Sequence, residues 1–125
     1  MKTTPVKIGK RTFALAFTAD ALADLEDTIP DFELANIAEQ TKSLKTLLDT
    51  LYILARAGED LEGRELDVDR RWFGIHVSPA PLSLAKVQIA VLNALAAGFN
   101  MESGEEEEQG EVDVVLEGIK KKDNT

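Results

Sequence analysis

Residues 43–58 read SLKTLLDTLYILARAG, and this stretch decides the fold. Apolar residues fall at Leu44, Leu47, Leu48, Leu51, Leu54 and Ala55. Steps of three and four place them on one stripe of an α-helix. Asp49 and Arg56 fall off that stripe, Lys45 lies beside it, and Tyr52 and Ile53 widen it. Ser43 suits the N-cap, where its hydroxyl accepts a backbone N–H, and Gly58 suits the left-handed position that ends a helix. The predicted rod is roughly 21 Å long at 1.5 Å per residue, enough to cross a small domain. A helix this apolar must be covered on most sides, by its own domain or by a partner.

Upstream, residues 6–17 predict a β-hairpin. Val6-Lys-Ile8 alternates, Thr12 to Phe17 alternates, and Gly9-Lys10 between them suits a tight turn with Gly first. Phe13, Leu15 and Phe17 share a face that needs a helix against it, because an isolated hairpin is marginal in water. Thr18 is the predicted N-cap of a helix over 19–28 with Ala21, Leu22, Leu25 and Ile29 as its stripe and Asp20 in its first turn. Pro30 ends it. Asp31 is the expected cap of a short helix through Phe32, Leu34, Ile37 and Ala38, and Gln40-Thr-Lys42 reads as a polar link.

Downstream, residues 59–65 read as an exposed polar loop. Asp67 is the expected cap of a short helix over 68–75 carrying Trp72 and Phe73, weakened by Gly74. Ser78-Pro-Ala-Pro81 is a break. The last helix is predicted over 82–97, with Leu84, Val87, Val91, Leu92 and Leu95 as its stripe, Ile89 widening it and Gly98 stopping it. The expected architecture is α+β, mainly α: a short N-terminal hairpin packed on four or five helices in residues 1–99, followed by an acidic tail.

The 125 residues match one ordinary domain. Net charge is −9, of which residues 101–125 contribute −6 through nine acids and three lysines. This balance argues against nucleic acid, which needs a basic surface, and against an anionic membrane. Cysteine is absent, which removes disulfides, thiolate metal sites and thiol nucleophiles together. No leader-like apolar run opens the chain, and no stretch approaches the roughly twenty apolar residues of a membrane span. A soluble, cytoplasmic protein is expected. From Met101 the composition cannot bury a core and the Glu105–Glu108 run repels itself, so residues 100–125 are expected to be disordered. The apolar island around Val112, Val114 and Leu116 reads either as a partner-binding segment or as a weakly structured tail.

No catalytic constellation emerges. His76 is the single histidine and reads as structural or surface. No cluster has metal-ligand spacing, and the glutamate run lacks the framework of a calcium loop. No phosphate loop is present, so neither cofactor nor metal is expected. Asp67, Asp69, Arg70 and Arg71 read as a helix cap with surface ion pairs rather than as a charged site. Trp72 and Phe73 read as core in preference to an interface.

Three segments carry a family resemblance. A hairpin runs into Gly9-Lys-Arg-Thr-Phe-Ala-Leu-Ala-Phe-Thr-Ala-Asp-Ala-Leu-Ala-Asp-Leu-Glu26, then comes Leu47-Leu-Asp-Thr-Leu-Tyr-Ile-Leu-Ala-Arg-Ala57, then Ala90-Val-Leu-Asn-Ala-Leu-Ala-Ala97. In segment order and apolar patterning the chain resembles the tail assembly chaperones of long-tailed bacteriophages and prophages, over roughly residues 6–99. The resemblance implies a non-enzymatic protein of the host cytoplasm, not retained in the mature virion. It implies binding of the tape measure protein and assistance to tail tube polymerisation, with the tail tube protein as a second partner. It also implies a longer frameshifted form of the same protein. Lys120-Lys-Lys122 must be encoded by an adenine-rich run, which permits such slippage. The family offers no short binding motif to carry across. The residues expected to contact a partner are Leu51, Tyr52 and Leu54 on the central helix, Val91 and Leu95 on the last helix, and Val112, Val114 and Leu116 in the tail. Apolar faces that wide serve a core as well as a partner, and sequence does not separate the two. The rival is a small adaptor or regulatory domain acting through its acidic tail.

Overall fold

The computed structural model describes residues 3–100. The fold class is the expected one, an antiparallel two-stranded hairpin followed by five helices. Strands β1 (Thr4–Ile8) and β2 (Arg11–Leu15) pair with Val6 opposite Phe13 and Ile8 opposite Arg11, leaving Gly9-Lys10 as a two-residue turn. Gly9 takes φ 64°, which that turn asks of its first residue. Val6, Ile8, Phe13 and Leu15 are buried, as period-two alternation requires.

Helix α1 (Ala19–Thr28) has its predicted bounds. The Thr18 hydroxyl accepts the Ala21 N–H at 3.1 Å, and Ile29 before Pro30 is extended. The next turn differs from expectation. Asp31 is not a helix cap but a left-handed residue at φ 54°, and its carbonyl accepts the Gln40 side-chain N–H at 2.8 Å. The segment then forms a 3-10 turn (Leu34–Asn36) running into the short helix α2 (Ile37–Gln40). Thr41, expected in a polar link, is fully buried: its hydroxyl donates to the Ile37 carbonyl at 2.9 Å and accepts from Gln88 at 3.1 Å.

Helix α3 (Leu44–Leu61) is the hub, packing against β2, α1, α4 and α5. Ser43 caps it as predicted. It does not stop at Gly58. Gly58 is buried in the last turn of the helix, where a β-carbon would meet the Ala14 carbonyl oxygen at 1.8 Å. The helix ends instead at Gly63, which is left-handed at φ 74°. There the Gly63 N–H donates to the Asp60 carbonyl and the Arg64 N–H to the Glu59 carbonyl, both at 3.0 Å, the paired bonds of a Schellman motif. The predicted loop over 59–65 is therefore helical for its first three residues.

Helix α4 (Arg70–His76) is capped by Asp69 rather than Asp67; the Asp69 carboxylate accepts the Trp72 N–H at 2.9 Å. Helix α5 (Pro81–Asn100) starts on Pro81 and runs past Gly98. At Gly98 the reason is the same as at Gly58: a β-carbon would lie 2.6 Å from the Phe17 carbonyl oxygen. Both glycines let a helix backbone press onto the second strand and its continuation. Ala16 N–H extends that contact by donating to the Leu54 carbonyl of α3 at 3.1 Å. The core formed between hairpin and helices centres on Leu15, Leu25, Leu51, Leu54, Phe73 and Val91, all fully buried. Each such large side chain contributes about 1.5–3 kcal/mol through burial.

Candidate interaction surface

Two surface regions carry unusual chemistry, one around α4 and one along α5. Around α4, Asp69, Arg70 and Arg71 line one shallow open depression with Gly74 and Ile75, and Asp67 stands apart from it. Asp67 pairs with Arg11 of the hairpin at 2.9 Å, and that hydrogen bond holds its carboxyl below the ordinary value. Asp69 caps the helix. Arg70 reaches back to Asp49 on α3 at 2.8 Å, while Arg71 is the exposed cation of the depression.

Asp49, read from sequence as lying off the apolar stripe, is buried. Burial alone would raise its pKa, but hydrogen bonds and charge from Lys45 and Arg70 outweigh this and leave it lowered. The carboxylate accepts from Lys45 at 2.8 Å and from Arg70 at 2.8 Å, so it ties α4 to α3. This is a structural clamp, with both oxygens already engaged.

Above it, Phe73 fills the core as expected. Its ring meets Phe13, Trp72 and Tyr52 at centroid distances of 5.0, 5.4 and 6.2 Å. Trp72 is half-buried. One face stacks on His76 at 4.0 Å and 18°, and the His76 Nδ1 lies 2.9 Å from the Trp72 carbonyl. The histidine is thus a surface stacking partner. Among the described residues no group of three or more His, Cys, Asp or Glu is placed to hold a metal ion.

Helix α5 is different in kind. Only Lys86 is charged among its twenty residues. By length and composition it is apolar enough to cross a membrane, contrary to the expectation that no stretch approaches a membrane span. Val87, Ala90, Val91, Ala94 and Leu95 are buried against the rest of the domain. Gln88 fixes the helix to α2 by donating to the Ala38 carbonyl and the Thr41 hydroxyl, each at 3.1 Å.

Its other side carries a second apolar stripe, Leu82, Ala85, Ile89, Leu92, Ala96 and Phe99, in which Leu92 is half-buried against the core and Ala96 is half-buried as well. The steps are three, four, three, four, three, the spacing of a coiled-coil seam. At 100° per residue the two stripes lie roughly 160° apart around the helix. Leu82 is 72% exposed, Ile89 59% and Phe99 60%. The stripe therefore faces solvent over Leu82, Ala85 and Ile89 and again at Phe99.

The residues expected to meet a partner distribute accordingly. Leu51, Leu54, Val91 and Leu95 are core residues, so the expectation that they face a partner is corrected: the hairpin and neighbouring helices already cover them. Tyr52 is half-buried, edge-on to Phe73 with Arg56 over its ring at 5.6 Å. Val112, Val114 and Leu116, the expected disorder of the acidic tail and the Lys120–Lys122 run lie outside the described residues. Ile89, read as widening the core stripe, faces solvent. The seam from Leu82 to Phe99 was legible as a heptad, but in a helix apolar nearly all round it competes with the core stripe. No family model matches the chain, and neither curated proteins nor solved structures give a match.

Proposed function

We propose that the protein is a non-catalytic chaperone of phage tail assembly, binding the tape measure protein and assisting polymerisation of the tail tube around it in the host cytoplasm. The segment order that resembles that family supports the reading. The observation that carries it is the apolar side of α5 on which Leu82, Ile89 and Phe99 face solvent. A chaperone for a long apolar helical client needs a preformed apolar line that its own core does not consume, and helix-on-helix recognition uses anchors at three-four spacing. The near absence of charge on α5 fits an apolar client, since no charged rim has to be desolvated around the anchors.

Co-expression tests it. The full chain should keep the tape measure protein of the same genome soluble and should co-purify with it, and Ile89→Asp with Phe99→Asp should abolish both effects while the domain stays folded. A tape measure protein that neither gains solubility nor co-purifies would overturn the reading.

A further inference from the structure

We propose that the outer side of α5 pairs, antiparallel, with the same side of α5 in a second copy of this chain. Along the stripe the residues read large, small, large, large, small, large: Leu82, Ala85, Ile89, Leu92, Ala96, Phe99. The order is a palindrome in size about a point between Ala90 and Val91. A twofold axis through that point sets Leu82 against Phe99 of the second copy, Ala85 against its Ala96 and Ile89 against its Leu92. A twofold interface requires such self-complementarity, because one patch must fit itself. Three-four spacing keeps the layers in register along the pair. Relief matches as well. Ile89, 59% exposed, stands out against the half-buried Leu92, while Leu82 and Phe99 stand out together at the two ends. The alanine layers between them let the two backbones approach.

Charge favours this occupant and this direction. Helix α5 has no acid, and its one base, Lys86, flanks the neutral Asn93 of the other copy in the antiparallel register. The two lysines then stand roughly 13 Å apart along the axis, beyond the Debye length of about 8 Å at physiological salt. The chain carries a net charge of −9, and −6 of it lies in residues 101–125. Antiparallel pairing sets the two Asn100 residues roughly 28 Å apart, so the acidic continuations start from opposite ends of the interface. A parallel pair would start both from one end. Each helix C-terminus also lies beside the N-terminus of the other, where the dipoles attract.

The area sets the strength. Leu82, Ile89 and Phe99 each keep on the order of 100 Å² open, so the pair buries about 600 Å² on these anchors alone. Ala85, Leu92, Ala96, Lys86 and Asn93 bring the total toward about 1,200 Å², the lower limit of a stable interface. Such an interface holds a reversible dimer, half formed at a concentration on the order of 100 µM. Well below that concentration the chain is a monomer with this face open. The inference goes beyond the chaperone reading and does not rest on it: the dimer occupies the face a client needs, so the monomer is the receptive form.

Sedimentation equilibrium of the full chain from about 5 to about 500 µM should show an average mass rising from 13.7 kDa toward twice that value. Ile89→Asp, at an exposed position and checked for folding by circular dichroism, should hold the mass at 13.7 kDa throughout. A parent chain monomeric at every concentration would overturn the inference and leave the face to a different protein. A dimer untouched by Ile89→Asp would place the interface elsewhere and overturn it as well. The absence of cysteine lets disulfides report direction. Leu82→Cys chains mixed with Phe99→Cys chains and mildly oxidised should yield disulfides joining the two kinds, roughly fivefold or more above those formed by either variant alone. Equal yields from the separate variants would mean parallel pairing or random collision and overturn the antiparallel register. Co-purification with a tape measure protein is a separate readout, so either result fails independently of the other.

Discussion

The carbonyl oxygen of Ala14 lies 1.8 Å from where a β-carbon on Gly58 would stand. Strand β2 and helix α3 are closer there than any side chain permits, and the Ala16–Leu54 hydrogen bond two residues along depends on that approach. In an ordinary exposed helix, glycine to alanine gains about 1 kcal/mol. Here the backbone contact reverses the sign. Gly58→Ala should destabilise the domain by about 2–3 kcal/mol, as overpacking does. Urea denaturation of the full chain measures it, and a stability equal to or above the parent would refute the close approach.

The two faces of α5 should respond oppositely to truncation. Val91 is fully buried, so Val91→Ala should cost about 2 kcal/mol. Ile89 faces solvent two residues away, so Ile89→Ala should change stability by less than about 0.5 kcal/mol. Thermal melting followed by circular dichroism distinguishes them; comparable losses would mean that Ile89 is covered within the domain.

Asp49 makes stability sensitive to acid. Its folded pKa is lowered from 3.8 despite the opposing effect of burial, because Lys45 and Arg70 favour the carboxylate. A group depressed on folding contributes fully above its unfolded value and loses that contribution as pH falls through the folded one. Asp49→Asn should therefore cost about 2 kcal/mol at pH 7, through two charge-assisted hydrogen bonds weakened or lost. The gap between parent and variant should begin to narrow below about pH 4 and go on narrowing as Asp49 protonates. A gap constant from pH 7 to pH 2 would rule out the clamp.

The cap of α4 offers a third contrast. Asp69→Ala removes the acceptor of the Trp72 N–H and should cost about 1 kcal/mol. Asp67→Ala removes an exposed pair with Arg11 and should leave stability close to that of the parent. Paired denaturation curves decide the register, and the reverse order would restore Asp67 as the cap.

Local chemistry determined much of this fold from the chain alone. The hairpin turn at Gly9, the Thr18 and Ser43 caps, the stop at Pro30 and the Leu47–Leu54 stripe all follow from neighbours within a few residues. Each of these depends on backbone dihedrals, a nearby N–H or helical period, and those are written locally. Tertiary structure decided the rest. Gly58 and Gly98 look like helix stops in sequence because glycine suits a left-handed cap; they lie inside the last turns of their helices, where Ala14 of β2 and Phe17 just beyond it leave no room for a β-carbon. Asp49 looks solvent-facing until Arg70, twenty-one residues on, supplies the charge that lets it be buried. The seam on α5 has the same origin. Both of its faces are apolar, so periodicity alone gives two candidates for the core. The packing of the hairpin, α3 and α2 on one of them leaves Leu82, Ile89 and Phe99 facing solvent.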